Sequence, residues 1–372
     1  MFDVNVVYIH SQTPNYIRVS KNLRLFAKLF REVHYLGCLR GNLWSPAETL
    51  PNVQYHIFQK HLPHGPKSIG GVIGLYQFIK KHIAIIKPQM VMATNEDFIL
   101  PFILGYIKRP RYLVCDLIDS LAIRINSPLR VFNPLLRRIT EFSMGKIDAL
   151  IEVNEERLSL HHRLPKLRAV IHNSPPWLEK VERYPGIMSP AIYVSGSIVD
   201  GRSGIEALIK AVEQIPEMSI VFAGRFAGEW LSQVFIHHPR VKYLGEVTPE
   251  DSLRIAKSCR AIYAHYAPLI PNFVYAAPNK LYEAMMLGVP ILMNSECRAG
   301  AIAQRYGFGL LSPYGDVEAL KRNLEYLLQD DPQREENCRK ARERFRNIYA
   351  WERMEERYLE LFRSMKLPEI GG

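Results

Sequence analysis

Short apolar, β-branched runs alternate along this chain with stretches in which apolar residues recur every three to four positions. In the first half the runs are VNVVYI (4–9), VHYLGC (33–38), VQYHIF (53–58), QMVMAT (89–94), RYLVC (111–115), ALIEV (149–153) and AVIH (169–172). Helical spacing fills several gaps between them, as in SKNLRLFAKLF (20–30) and GLYQFIKKHIAII (74–86). A stretch with four prolines and little periodicity, 173–190, interrupts the pattern and reads as a connection between domains. The alternation then restarts with AIYVSGS (191–197), IVFAGR (220–225), VKYLGE (241–246), AIYAHY (261–266) and VPILMN (289–294), separated by helices such as 204–215 and 249–258. Strands spaced by helices predict parallel sheets covered on both faces. The expected architecture is α/β, with two Rossmann-like domains whose sheets face a common cleft. Its parts are an N-terminal domain over 1–175, a linker over 176–189, a second domain over 190–345 and a final helical segment over 346–372. Ligands of open parallel sheets bind beyond the carboxyl ends of the strands, so the chemistry is sought there.

Composition narrows this picture. A length of 372 residues fits two domains, and 48% apolar residues can build two cores. The five cysteines are scattered with no C-x-x-C pair, which argues against structural zinc and a disulfide framework. The N-terminus, with an early acid and no basic region, reads as a first strand and not as a signal peptide. The longest apolar stretch, near 99–107, is far short of the roughly 20 residues a membrane span needs. A cytoplasmic chain is expected. The net charge of +11 is uneven: residues 1–180 hold 24 Lys and Arg against 13 Asp and Glu, whereas 181–372 hold 24 of each. The first half therefore has the charge to meet an anionic partner, nucleic acid or an anionic membrane.

Two segments of the second half carry candidate chemistry. In YVSGSIVDGRSGIEALIKA a strand runs into a glycine-containing turn and then a helix. Gly196, Gly201 and Gly204 would admit a ligand close to the backbone, and Arg202 could clamp a phosphate. The plainer alternative is an ordinary strand–turn–helix with a surface arginine. Arg225 offers a second cation at the next strand end, or a solvated side chain. There is no Walker motif and no well-formed G-x-G-x-x-G, so a P-loop NTPase or a standard dinucleotide site has little support. In APNKLYEAMMLGVPILMN, Lys280 and Glu283 stand three residues apart on a helix, where they could also form a plain surface pair.

The order of these segments, with VFAGR, YLGEVTPEDSLRIAKSCRAIYAHY and APNKLYEAMMLGVPIL, resembles the C-terminal domain of GT-B glycosyltransferases, most of all family 4 and related bacterial polysaccharide enzymes. In the first half YLVCDLIDSLAIR is similar to that group's strand end, and the passage from IDALIEVNEERLSLH to AVIHNS to its following strands. The resemblance covers most of the chain. It implies a nucleotide diphosphate sugar as co-substrate, with UDP among the carriers, and no further cofactor. Glu283 is then implied to bind ribose hydroxyls, and Lys280 and Arg202 to hold the diphosphate. Gly196, Ser197, Arg225, Tyr275, Asn279 and Leu281 complete the implied donor site. A carboxylate can accept two hydroxyl donors, and a diphosphate leaving group needs its developing charge neutralised. Cations and a helix N-terminus can do this without a metal, and no D-x-D motif is present, so metal independence is expected. In such proteins the last helix crosses back onto the N-terminal domain, with Trp351, Tyr358 and Phe362 as its anchors here.

One departure matters. The family's first glutamate would stand eight positions before Glu283, where this chain has Tyr275, which leaves the stereochemical outcome open. An inverting reaction needs a general base. Asp119 and Asp116, at the end of the RYLVCDLID strand, are the candidates, although Asp119 could equally cap the next helix. His10 ends the first strand near the same edge, where a partly buried structural histidine is the plainer reading. Arg18 could meet an acceptor phosphate or begin the basic face of the first helix.

The charge asymmetry gains a purpose from the resemblance. In SPLRVFNPLLRRITEF (127–142), Val131, Leu135, Leu136 and Ile139 lie near Arg130, Arg137 and Arg138, a combination suited to an anionic leaflet if the apolar face is not simply core. No nucleic-acid module is recognisable. The expected function is transfer of a sugar to a surface-glycan or lipid-linked acceptor, as in lipopolysaccharide or exopolysaccharide synthesis, by an enzyme peripheral to the inner leaflet of the plasma membrane. A nucleotide-sugar epimerase of the same fold and a catalytically inactive sugar-nucleotide-binding scaffold are the alternatives.

Overall fold

The computed structural model describes residues 1–39, 49–59, 69–124, 131–187, 190–199, 201–227, 233, 235–269 and 271–371. The chain forms two compact units, the first comprising Met1–Ile171 and Glu355–Gly372, the second His172–Met354.

The first unit is built on seven strands: β1 (Phe2–Ile9), β2 (Phe30–Cys38), β3 (Val53–Phe58), β4 (Met90–Thr94), β5 (Tyr112–Leu117), β6 (Ala149–Glu152) and β7 (Leu167–Val170). They lie in the order β3-β2-β1-β4-β5-β6-β7, all parallel. The second unit has β8 (Ala191–Val199), β9 (Ser219–Ala227), β10 (Val241–Tyr243), β11 (Ala261–Ala264), β12 (Ile291–Asn294) and β13 (Gly309–Ser312) in the order β10-β9-β8-β11-β12-β13, also all parallel. Parallel strands buried on both faces must be apolar throughout, and β4 is buried at all five positions. In each sheet the connections diverge on either side of the first strand, between β1 and β4 and between β8 and β11. Such a reversal leaves a crevice at the carboxyl ends of the two strands concerned.

Predicted boundaries moved where turn geometry intervened. The strand expected over 241–246 stops at Tyr243, because Gly245 takes a left-handed φ of +70°. The short strand β13 was not predicted: it has four residues, and a Cβ on its Gly309 would lie 2.4 Å from the Cβ of Ala303. The segment expected as a linker is part of the second unit, where Trp177, Leu178, Val181, Tyr184 and Ile187 pack against the core. The amide of Tyr184 also donates to Ser258 Oγ at 2.7 Å. Of the aromatic anchors expected in the final helix (Trp351–Ser364), Tyr358 and Phe362 lie in the first unit. The Phe362 ring packs edge-on against Phe2 and Phe30, and Tyr358 against Phe26. Trp351 belongs to the second unit, its amide donating to the carbonyl of Pro175 at 3.0 Å.

Candidate functional site

The carboxyl end of β8, beside the β8–β11 crevice, has unusual backbone. Gly196 of β8 (φ +92°) stands opposite Gly224 of β9 (φ +150°). A Cβ on Gly224 would lie 2.0 Å from the Gly196 carbonyl oxygen, so the strands approach here as only glycine permits. Beyond β8 the chain turns through Gly201 to Gly204, the left-handed residue preceding the helix Ile205–Glu213. Two phenols hold this turn. Tyr263 Oη donates to the Gly204 carbonyl at 2.7 Å, while Tyr314 Oη accepts the Gly204 amide and donates to the Gly201 carbonyl, both at 3.0 Å. The Arg202 carbonyl accepts from the Ala267 amide at 3.0 Å, which ties the arginine's backbone to the loop after β11.

A pocket of about 240 Å³ opens at this point, with Ser195, Ser197, Arg202, Ser203, Tyr263, His265, Tyr266 and Lys280 among its walls. Lys280 comes from the first turn of the helix Asn279–Leu287, and its Nζ is 3.7 Å from where a Cβ on Gly196 would sit. Burial lowers the pKa of this ammonium, which Glu283 partly offsets. Glu283 follows one helical turn later, half-buried. After burial itself, its charge contributes to raising the phenols of Tyr193 (to about 12) and Tyr266. The structure thus brings Gly196, Ser197, Arg202 and Lys280 together, with Glu283 on the same helix as the lysine. Two cations, serine hydroxyls and a helix N-terminus, with a carboxylate nearby, are groups that could together hold an anion.

Other residues of the expected donor site fall elsewhere. Leu281 is a core residue, fully buried, with its amide already donating to the Pro278 carbonyl at 3.1 Å, so it offers nothing to a ligand. Arg225 is largely exposed and sits 3.5 Å from Glu246, the solvated arrangement. Half-buried Tyr275 lies under the guanidinium of Arg298 at 5.8 Å. Asn279 opens the Lys280 helix.

In the first unit two expectations are corrected. Arg18 does not face an acceptor or a membrane: it is 1% exposed and binds Asp116, itself fully buried, through Nη2–Oδ1 at 2.5 Å and Nε–Oδ2 at 3.3 Å. Asp116 is correspondingly a structural carboxylate, with Tyr8 Oη also donating to it at 3.4 Å, and not an available base. His10 is buried, its Nδ1 accepting the Gln12 amide at 3.1 Å, a structural placement. Asp119 is partly exposed, with Arg157 Nη1 at 3.5 Å. Its loop is held by Asn95, whose Oδ1 accepts the amides of Ile118 and Asp119 at 2.8 and 2.9 Å.

The helix Asn133–Met144 buries only Thr140, Ser143 and Met144. Val131 (73% exposed), Phe132, Leu135 and Phe142 are turned to solvent, beside exposed Arg137 and Arg138. Arg130 lies outside the described residues. Leu136 and Ile139 are half-buried, so only part of the apolar stripe packs inward.

Sequence reasoning missed His265, Tyr263, Tyr314, Asn294 and Glu296. Glu296 accepts the Tyr314 amide at 3.1 Å and the Asn294 side-chain amide at 3.0 Å, and Asn294 Oδ1 accepts the Tyr266 amide at 2.8 Å. The strand-end position that singled out His10 would also have pointed to His265, whereas the tyrosines act through folds of the chain that no local pattern announces.

The structure has the fold of the GT-B glycosyltransferases. It superimposes on sucrose-phosphate synthase from Thermosynechococcus elongatus with a TM-score of 0.72 at 15% identity, over 97% of this chain and 99% of that one. HepE from Anabaena, solved with UDP-glucose, gives 0.70 at 15%, over 97% and 100%. WaaG, a glycosyltransferase involved in lipopolysaccharide biosynthesis, gives 0.64 at 12%, over 94% and 98%. Within the second unit, residues 189–330 match the family model described as Glycosyl transferases group 1. No curated protein matches the sequence.

Proposed function

We propose that the protein is a metal-independent glycosyltransferase that takes a sugar from a nucleotide diphosphate sugar held at the β8–β11 crevice. The observation that carries this reading is the convergence of Arg202 and Lys280 on one pocket at the topological switch point, within the stretch that matches the glycosyltransferase family. As the sugar–phosphate bond breaks, charge accumulates on the leaving diphosphate, and the two cations at the pocket would stabilise that charge more than they stabilise the intact donor. Glu283, on the Lys280 helix, is assigned to the ribose hydroxyls. The UDP-glucose complex of HepE makes UDP-glucose the first donor to try.

Glu283→Ala should weaken UDP-glucose binding by about 1.5–3 kcal/mol, the usual loss for a hydrogen bond to a charged group, with little change in melting behaviour. Titration calorimetry reads this directly; an unaltered affinity would remove Glu283 from the site. On the acceptor side Asp119 is the carboxylate left accessible, and Asp119→Asn should lower kcat by about 10²–10⁴ with donor affinity intact if it takes the acceptor proton.

The acceptor we infer is a lipid-linked or surface glycan met at an anionic inner leaflet. The exposed Val131, Phe132, Leu135 and Phe142 beside Arg137 and Arg138 favour this, being the residue types that bind such an interface.

A further inference from the structure

The wall of the pocket contains a histidine with no structural task. His265 follows β11 directly at the switch point and is 4% exposed. Among the described residues neither ring nitrogen has a hydrogen-bond partner. In folded proteins a buried polar group without a partner is rare and calls for a reason. The ring is not loose: it stacks on Tyr263 with centroids 4.5 Å apart and planes at 18°. Its Cβ lies 3.4 Å from where a Cβ on Gly204 would sit, at the start of the helix Ile205–Glu213. It lines the same cavity as Arg202 and Lys280.

We propose that His265 is a third group holding the anion in this pocket, giving an imidazole N–H to a phosphate oxygen of the donor beside Arg202 and Lys280. The inference rests on the donor reading above and names a contact within it. A rigid ring in a polar cavity, with nitrogens left unmet by the described protein groups, is placed to be satisfied by a ligand that enters.

The electrostatics give the contact a signature. Arg202 and Lys280 line the same pocket as the ring, Tyr263 and Tyr266 lie close to it in sequence, and Tyr314 and Glu296 approach from the loops after β13 and β12. Burial drives the His265 pKa down to about 3, with Glu296 only partly opposing, so the ring is neutral at physiological pH. A diphosphate brings negative charge against it and favours the imidazolium. Binding should then draw a proton from solvent onto the free ring nitrogen, making both nitrogens donors, and affinity should rise as pH falls.

Calorimetry with UDP-glucose, GDP-mannose and ADP-glucose tests this, because their diphosphates do not titrate near neutral pH. The best-binding probe is titrated in buffers of differing ionisation enthalpy, on the wild type and on His265→Phe, which keeps the stacked ring and removes the nitrogens. The wild type should take up a fraction of a proton that grows from about pH 8 to about pH 6, and the variant should bind about tenfold more weakly without uptake. Unchanged affinity in the variant would overturn the inference, as would uptake that persists there and so belongs to Lys280; either result leaves the donor reading standing. If none of the three probes binds the wild type, the donor reading falls and takes the inference with it. Should His265→Phe not fold, ¹⁵N shifts of the His265 ring in the wild type decide, and a ring unmoved by saturating probe would overturn the inference.

Discussion

The contrast between Asp116 and Asp119 shows what decides a carboxylate's role. Three residues apart, one near the end of β5 and the other just beyond it, both look like acids at a strand end. Asp116 is fully buried and bound in two places by Arg18, whose Nη1 also donates to the Ile171 carbonyl at 3.3 Å. Asn22 Nδ2 donates to Tyr8 Oη at 3.1 Å, and Tyr358 Oη donates to Asn22 Oδ1 at 3.2 Å, so the network reaches the final helix. Removing either charge leaves the other in a low-dielectric interior without compensation. Arg18→Ala or Asp116→Asn should therefore destabilise by about 3–5 kcal/mol in urea denaturation. A loss below about 1 kcal/mol would mean that water already reaches the pair.

Among elements, the edge formed by β2, β3 and the helix Ile69–Ile86 carries an unusual histidine cluster. His34 Nδ1 and His56 Nε2 are 3.1 Å apart, the His56 and His82 rings are 4.8 Å apart, and His34 Nε2 lies 3.3 Å from Glu32. Burial first, and then the neighbouring His82 and His34, push the His56 pKa down to about 4; burial lowers His34 as well, against the pull of Glu32. The unfolded chain therefore binds protons below about pH 6.5 that the folded chain does not. Stability from the neutral rings is complete above that pH and is lost as pH falls toward about 4. Discounted for the solvent-facing part of the ring, His56 should account for about 1–2 kcal/mol of the loss. Urea midpoints between about pH 8 and about pH 5 measure it, and His56→Phe should flatten the curve; an equal slope in the variant would assign the loss to other groups. A strand such as β4 was legible because one buried on both faces must be apolar throughout, whereas β13 was too short and too dependent on its Gly309 contact to stand out.

For the whole molecule the distribution of charge is the main physical fact. The first unit holds 26 Lys and Arg against 16 Asp and Glu, the second 22 against 21. Among the described residues no helix is long and apolar enough to cross a membrane. An excess of cations beside exposed Val131, Phe132 and Leu135 should draw the protein to vesicles containing anionic lipid. Cosedimentation should weaken as salt shortens the Debye length from about 10 Å at 0.1 M to about 3 Å at 1 M. Replacing Arg137 and Arg138 by glutamine should remove about 1 kcal/mol per cation and leave UDP-glucose affinity unchanged. Wild-type protein that ignores such vesicles at low salt would point to a soluble acceptor.

What the sequence determined by itself was whatever local periodicity and spacing control: two runs of strand and helix, the glycine turn before Arg202, and the helix carrying Lys280 and Glu283. Period and turn chemistry act over a few residues, so they survive in a linear reading. Tertiary structure decided which side chains are spoken for. Arg18 is claimed by an aspartate 98 positions away, Leu281 by the core, and Arg225 is left to solvent. The hydroxyl of Tyr314, more than a hundred residues along the chain, holds the turn that carries Arg202. Such pairings follow from strand order, and strand order is settled by how the layers bury their apolar faces, which no short stretch of residues encodes.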